Sequence, residues 1–153
     1  MRHIVSAACG LWLCLPLPVA AQSSAPGAAG STNGVLVELY TSQGCSSCPP
    51  ADEFLSELSQ ADGVIALALH VDYWDYIGWE DQFANPDFTE RQKMYARAVG
   101  SRMIYTPQMI VGGIDRVEGN TPDAVVRFIG KHLAHQTGVA LSLSRVGAQV
   151  EIR

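Results

Sequence analysis

Read for the spacing of apolar and polar positions, the chain divides into short runs of two kinds. GVLVELY (residues 34–40) is a nearly unbroken apolar run rich in β-branched residues, and VIALALHV (64–71) is apolar up to His70. Both patterns predict strands covered on both faces. Between them, PPADEFLSELSQ sets Phe54, Leu55 and Leu58 on one helical stripe, with Asp52 and Glu53 in the first turn, where the helix dipole favours acids. Strand, helix, strand in this order makes a right-handed crossover between parallel strands.

An aromatic-rich loop, DYWDYIGWEDQFANPDF, leads to a second helix with Asn85 or Asp87 as its cap and Pro86 at its first position. Phe88, Gln92, Tyr95 and Val99 share one face, and Gly100 is placed to end it. SRMIYTPQMIVGGIDRVEG gives two short strands joined at Gly112-Gly113, a pair suited to a tight hairpin. Thr121 as cap, Pro122 and Asp123 then open a third helix whose buried stripe is Val125, Ile129 and Leu133. VALSLSRVGAQVEIR alternates around Gly147 like two hairpin arms. The pattern is still running at Arg153, so this tail reads either as a hairpin at the sheet edge or as part of a truncated, longer protein. The predicted architecture is α/β in the order βαβαββα, a mixed sheet flanked by helices over residues 34–137, with a β-rich tail over 138–153.

What precedes Gly34 changes the chemistry. MRHIVSAACGLWLCLPLPVAA carries Arg2 and His3, then an apolar run ending in small residues. It reads as a secretory signal peptide cleaved near Ala21, with an apolar run too short for a membrane anchor. QSSAPGAAGSTN, residues 22–33, has no periodicity and reads as a flexible leader. Cleavage removes Cys9 and Cys14 and leaves one pair, Cys45 and Cys48, in a periplasmic or secreted setting where disulfides persist. Losing Arg2 also takes the formal net charge from −5 to −6, which disfavours nucleic acid and anionic membrane surfaces as partners. At roughly 130 residues the mature chain is one domain, able to bury about two-thirds of its unfolded surface.

Cys45-Ser46-Ser47-Cys48 sits where the first helix begins. A helix N-terminus stabilises a thiolate, so Cys45 is the expected attacking sulfur and Cys48, one turn on, the resolving one. A structural disulfide competes, although so small a loop constrains the unfolded chain little. A zinc site with His132-x-x-His135 and a copper site with His70 also compete. The βαβαββα order would bring the turn before the third strand down beside the cysteines. That sets Pro107 against Cys45, makes Thr106–Pro107 a candidate cis bond, and leaves Thr106 to meet an incoming extended peptide. Glu38, between Leu36 and Tyr40 on its own face, is either a buried carboxylate and candidate proton shuttle for Cys48 or a solvated strand-edge glutamate. His70 and Asp72 close the second strand at the same end. Tyr73, Trp74, Tyr76 and Trp79 either wall a groove beside the cysteines or fold a small core of their own.

The segments VELYTSQGCSSCPPADEFL, ALHVDYWDYIGW, FTERQKMYA and YTPQMIVGG together resemble an uncharacterised family of exported bacterial thioredoxin-like proteins, over residues 34–129. The resemblance implies a thioredoxin-like fold, with Cys45 and Cys48 as the redox pair and Pro107 as the cis-proline. It implies no known substrate, and no cofactor is expected. The expected activity is disulfide exchange with protein or small-molecule thiols; the alternatives are a copper- or zinc-binding protein and a binding module that kept the fold. The chain departs from thioredoxins in two respects: Gly44 stands where they carry tryptophan, and Pro49-Pro50 follow Cys48 directly.

Overall fold

A computed structural model describes residues 34–135 and 142–152. The signal peptide and leader expected over 1–33, and the start of the tail, lie outside the described residues. β1 (Val35–Thr41), α1 (Pro49–Leu58), β2 (Val64–His70), α2 (Pro86–Ala98), β3 (Gln108–Val111), β4 (Asp115–Glu118) and α3 (Pro122–Ala134) follow in order. The separate hairpin of β5 (Leu143–Val146) and β6 (Gln149–Ile152) turns at Gly147. The main sheet has the order β2-β1-β3-β4. β1 runs parallel to β2 from Val35↔Val64 to Thr41↔His70 and antiparallel to β3, where Glu38 faces Ile110. This mixed sheet with three helices is compatible with a thioredoxin-like α/β fold.

Strand alternation divides the core in two, because successive side chains of β1 point to opposite faces. Val35, Val37 and Leu39 pack with Ala51, Leu55 and Leu58 of α1 and with Val125 and Ile129 of α3. Tyr40 turns the other way, into a cluster with Leu69, Val71 and Ile110 against which Phe88 and Tyr95 of α2 pack. Burying one such aliphatic side chain stabilises the fold by about 1.5–3 kcal/mol. All three helices open on proline at a position where no N–H is needed. Asn85 accepts the Asp87 N–H at 2.9 Å, settling the α2 cap in its favour. Thr121 stands at the α3 cap position, but its hydroxyl donates back to the Glu118 carbonyl at 2.6 Å.

Several expectations need correction. β2 is not covered on both faces: it is the outer strand of the sheet, and Ile65 and Leu67 stand 50% and 42% exposed. Val99 caps α2 rather than extending its stripe and is exposed; Thr89, Gln92 and Ala96 are the buried residues there. Leu133 also lies outside the core, in the last turn of α3, and is 40% exposed. Gly112 and Gly113 do make the β3–β4 turn, both at positive φ, which glycine alone adopts without cost. Behind Gly112 the His132 ring leaves no room for a Cβ.

Candidate functional site

Cys45 and Cys48 form a disulfide with their Cα atoms 5.4 Å apart. Cys48, not Cys45, occupies the N-cap of α1: its carbonyl accepts from Ala51 and Asp52 at 2.9 and 3.0 Å. The two prolines after Cys48 push the helix start one turn later than the cysteine spacing suggests. Cys45 therefore lies in a turn, with its N–H on the Ser42 carbonyl at 3.1 Å, and gains less from the dipole than expected. Its sulfur has a local partner instead, the Ser47 hydroxyl at 3.5 Å. Both cysteines are buried; Cys45 keeps 3% exposure and Cys48 none.

Three loops close around this turn, each through a contact to a neighbouring residue. On one side, a Cβ at Gly44 would meet Trp74 Cβ at 3.0 Å and Ile77 Cδ1 at 3.2 Å, so the aromatic loop lies directly against the cysteine turn. The Trp74 indole N–H reaches on to Thr106 Oγ1 at 2.8 Å. On the other side, Asn120 donates to the Ser47 carbonyl at 3.0 Å. Between them lies the cis Thr106–Pro107 segment. Gly119 donates its N–H to the Pro107 carbonyl at 3.0 Å, and a Cβ there would meet both Pro107 Cβ and Ala51 Cβ of α1. The proline thus packs toward the start of α1 across a glycine. Tyr105, Thr106, Pro107, Glu118 and Asn120 line an open cavity of about 160 Å³ beside it.

Gln92, expected only as a stripe residue, holds the proline segment in place. Fully buried on α2, it donates to the Tyr105 carbonyl at 2.8 Å and to Gln108 Oε1 at 3.0 Å, and receives the Tyr73 hydroxyl at 3.2 Å. Burial pushes the Tyr73 phenol up to about 12, so it stays a donor. The loop aromatics divide. Tyr73 and Trp74 pack inward against the second core cluster, while Tyr76 and Trp79 are 80% and 60% exposed.

The carboxylates are arranged otherwise than the sequence suggests. Glu38 is fully buried but turns to the α2 face, opposite the face of β1 that α1 covers. It accepts from Arg91 Nε at 2.5 Å and from the Tyr95 hydroxyl at 2.6 Å, and so is committed to an ion pair rather than to Cys48. At the cysteine end the acids are Asp52 and Asp81. Asp52, one helical turn beyond Cys48, accepts the buried Thr41 hydroxyl at 2.7 Å. Partial desolvation raises its pKa, against the lowering pull of that hydrogen bond. Asp81 meets His70 Nδ1 at 2.6 Å and takes the N–H groups of Gln43 and Phe83 at 2.8 and 2.9 Å. Burial alone would raise its pKa, but these donors together hold it below the ordinary value. Asp72 binds the Thr89 hydroxyl. No run or spacing marks Asp81 or Asn120, so the sequence offered no signal for either.

His132 and His135 do not gather with the cysteines, while His70 stays at the cysteine end of β2, paired with Asp81. His132 pairs with Asp115 at 2.7 Å towards the far end of α3, and His135 bonds its own helix at Lys131. Among the described residues no group of three or more His, Cys, Asp or Glu side chains is placed to hold a metal ion. No helix there is long and apolar enough to cross a membrane.

Fold and site together define an α/β protein, compatible with the thioredoxin-like arrangement, that carries one Cys-x-x-Cys disulfide at the meeting point of its loops. The chain belongs to the family described as Protein of unknown function (DUF1223), which matches residues 36–153. Among solved structures it is similar to a crystal structure of a protein from Agrobacterium tumefaciens, at 45% identity and a TM-score of 0.70. That match covers 77% of this chain and 54% of the other, so the chain spans about half the length of that relative. No curated protein matches the chain.

Proposed function

We propose that the protein is an exported thiol–disulfide oxidoreductase, working in the periplasm or outside the cell through Cys45 and Cys48. One observation carries the reading: the disulfide lies where Trp74, Thr106, Pro107 and Asn120 converge, although closing so short a loop stabilises the fold by at most about 2 kcal/mol. A cross-link of such small structural worth, at a place where three loops meet, has its rationale in chemistry.

In the exchange, a substrate thiolate attacks Cys45 Sγ and forms a mixed disulfide. The Cys45–Cys48 bond breaks, and Cys48 leaves as a thiolate that takes up a proton. A second substrate thiolate then attacks the substrate sulfur and releases Cys45, leaving the dithiol. In the reverse direction the Cys45 thiolate attacks a substrate disulfide and expels one thiolate. Cys48 then attacks Cys45 Sγ, releases the other and restores the disulfide. The Ser47 hydroxyl stabilises the Cys45 thiolate in either direction, and Asp52, one turn from Cys48, is the nearest titratable group on α1 to exchange its proton.

The test pairs Cys45→Ser with Cys48→Ser. The first abolishes exchange with dithiol and peptide substrates; the second traps mixed disulfides at Cys45. Equal alkylation of both thiols in the reduced protein, or trapping through Cys48, removes the assigned roles. Full exchange by Cys45→Ser leaves the binding-module reading in its place.

A further inference from the structure

Taking the exchange reading as its basis, we propose that the face around Cys45–Cys48 docks an extended polypeptide, cationic and apolar on either side of its own cysteine, and discriminates against small anionic thiols. The first support is the sign of the charge. Residues 41–55, 70–85, 105–108 and 118–123 form the turn and the loops around it, and they hold eight carboxylates with no lysine or arginine. Asp52, Glu53, Glu80, Glu118 and Asp123 are exposed, and none of these five forms an ion pair among the described residues. The cations lie outside these segments: Arg91, Lys93 and Arg97 on α2, Arg127 and Lys131 on α3, Arg145 on β5, and, next to the segments in sequence, Arg102 before β3 and Arg116 on β4, whose guanidinium donates to the Met103 carbonyl. A face of one sign concentrates ligands of the other and repels its own, with effects of roughly tenfold or more on encounter rates at low salt.

The second support is independent of charge. Tyr76, Ile77 and Trp79 are 80%, 49% and 60% exposed on the loop that lies against Gly44. Trp79 does not swing freely: its indole N–H donates to Gln43 Oε1 at 2.9 Å, two residues before Cys45. An aromatic side chain held at the rim of a disulfide offers a stacking and packing surface that a tripeptide thiol has little apolar area to use, but that a polypeptide fills. Across the turn, the cavity under Tyr105 and Pro107, with Glu118 and Asn120 on its wall, is large enough for one basic or polar side chain. An occupant reaching from Trp79 past Cys45 to Glu118 has to be extended, apolar at one end and cationic at the other.

Stopped-flow reduction of the oxidised protein tests this with two cysteine peptides that differ only in flanking residues, Leu and Phe with Lys in one and with Glu in the other, and with glutathione. After correction for thiolate fraction, the Lys peptide is expected to open the disulfide at least tenfold faster than the Glu peptide or glutathione at low salt. The ratio should shrink severalfold in 0.5 M NaCl, a condition that screens charge beyond a few ångströms. Glu118→Gln and Glu80→Gln narrow the ratio, Trp79→Ala slows the Lys peptide severalfold, and Glu57→Gln, on the outer face of α1, leaves the ratio unchanged. A ratio near one at low salt, or glutathione reacting as fast as the Lys peptide, overturns the proposal. If no thiol, dithiothreitol included, opens the disulfide, the exchange reading fails separately. The same peptides with serine for cysteine, followed by tryptophan fluorescence, then decide the surface: tighter binding of the Lys peptide sustains it, and equal or absent binding overturns it.

Discussion

His70 and Asp81 meet at 2.6 Å, Nδ1 to Oδ2, and this contact fastens the end of β2 to the loop that carries Trp79. Asp81 also holds two backbone N–H groups, so Asp81→Ala orphans three donors and is expected to cost about 2–4 kcal/mol in urea unfolding. Because its folded pKa lies below the ordinary 3.8, its contribution is complete above that value and is lost as pH falls through the lower, folded one. The wild type should therefore lose more stability than Asp81→Asn below about pH 4. Asp115 has the same sign of shift and is common to both proteins, so the difference isolates Asp81. Parallel pH profiles for the two would contradict this.

Asp52 has the opposite sign. Its raised folded pKa favours the protonated carboxyl, so its contribution is greatest below the unfolded value and declines as pH rises through the folded one. Asp52→Asn, which keeps an acceptor for the Thr41 hydroxyl, should melt slightly higher than wild type at pH 7 and level with it at pH 3. A lower melting temperature at pH 7 would mean that the Thr41 bond to a full charge outweighs desolvation.

The Glu38–Arg91 pair is unequal, since the Glu38 side chain is fully enclosed while that of Arg91 is 43% exposed. Arg91→Ala leaves a buried carboxylate supported by Tyr95 alone and should cost ~3–5 kcal/mol; Glu38→Gln leaves a guanidinium that water can reach, at about 1–2 kcal/mol. Chemical denaturation of both variants measures the asymmetry. Equal losses would show that solvent does not relieve Arg91.

Much of this was legible in the sequence, and for one reason: proline and periodicity act locally. Each helix start coincides with a proline, and the β1, β3 and β4 patterns gave their strands. β2 misled because an apolar run reports burial on average and carries no information on strand order; the outermost strand of this sheet looks like a central one. Its apolar neighbours left Glu38 open to being buried or solvated, and the partner that decides it, Arg91, lies 53 residues away on α2. The site's scaffolding through Gln92, Asp81 and Asn120 was hidden for the same reason, since single polar residues that bond across the fold leave no pattern in the chain.

Gly119 separates Pro107 from α1 with no space to spare. A Cβ would stand 2.7 Å from Pro107 Cβ and 3.1 Å from Ala51 Cβ, and neither a ring nor a helix backbone yields easily. Gly119→Ala is expected to destabilise by ~1–3 kcal/mol and to reduce exchange, because relief requires the proline to move away from the turn. A variant with wild-type melting and wild-type exchange kinetics would show that Pro107 can shift without consequence.

The chain has two lysines, Lys93 and Lys131. They sit on α2 and α3, which cover opposite faces of the sheet, and Lys131 lies nine residues along α3 from its first residue, roughly 13 Å from the end of the helix that meets the cysteine turn. The lack of basic residues around the disulfide therefore has a practical side. Amine-coupling reagents used to attach the protein through these lysines to a resin or sensor leave the Cys45 rim unmodified, so a tethered Cys48→Ser protein can serve as bait for the thiol proteins it meets.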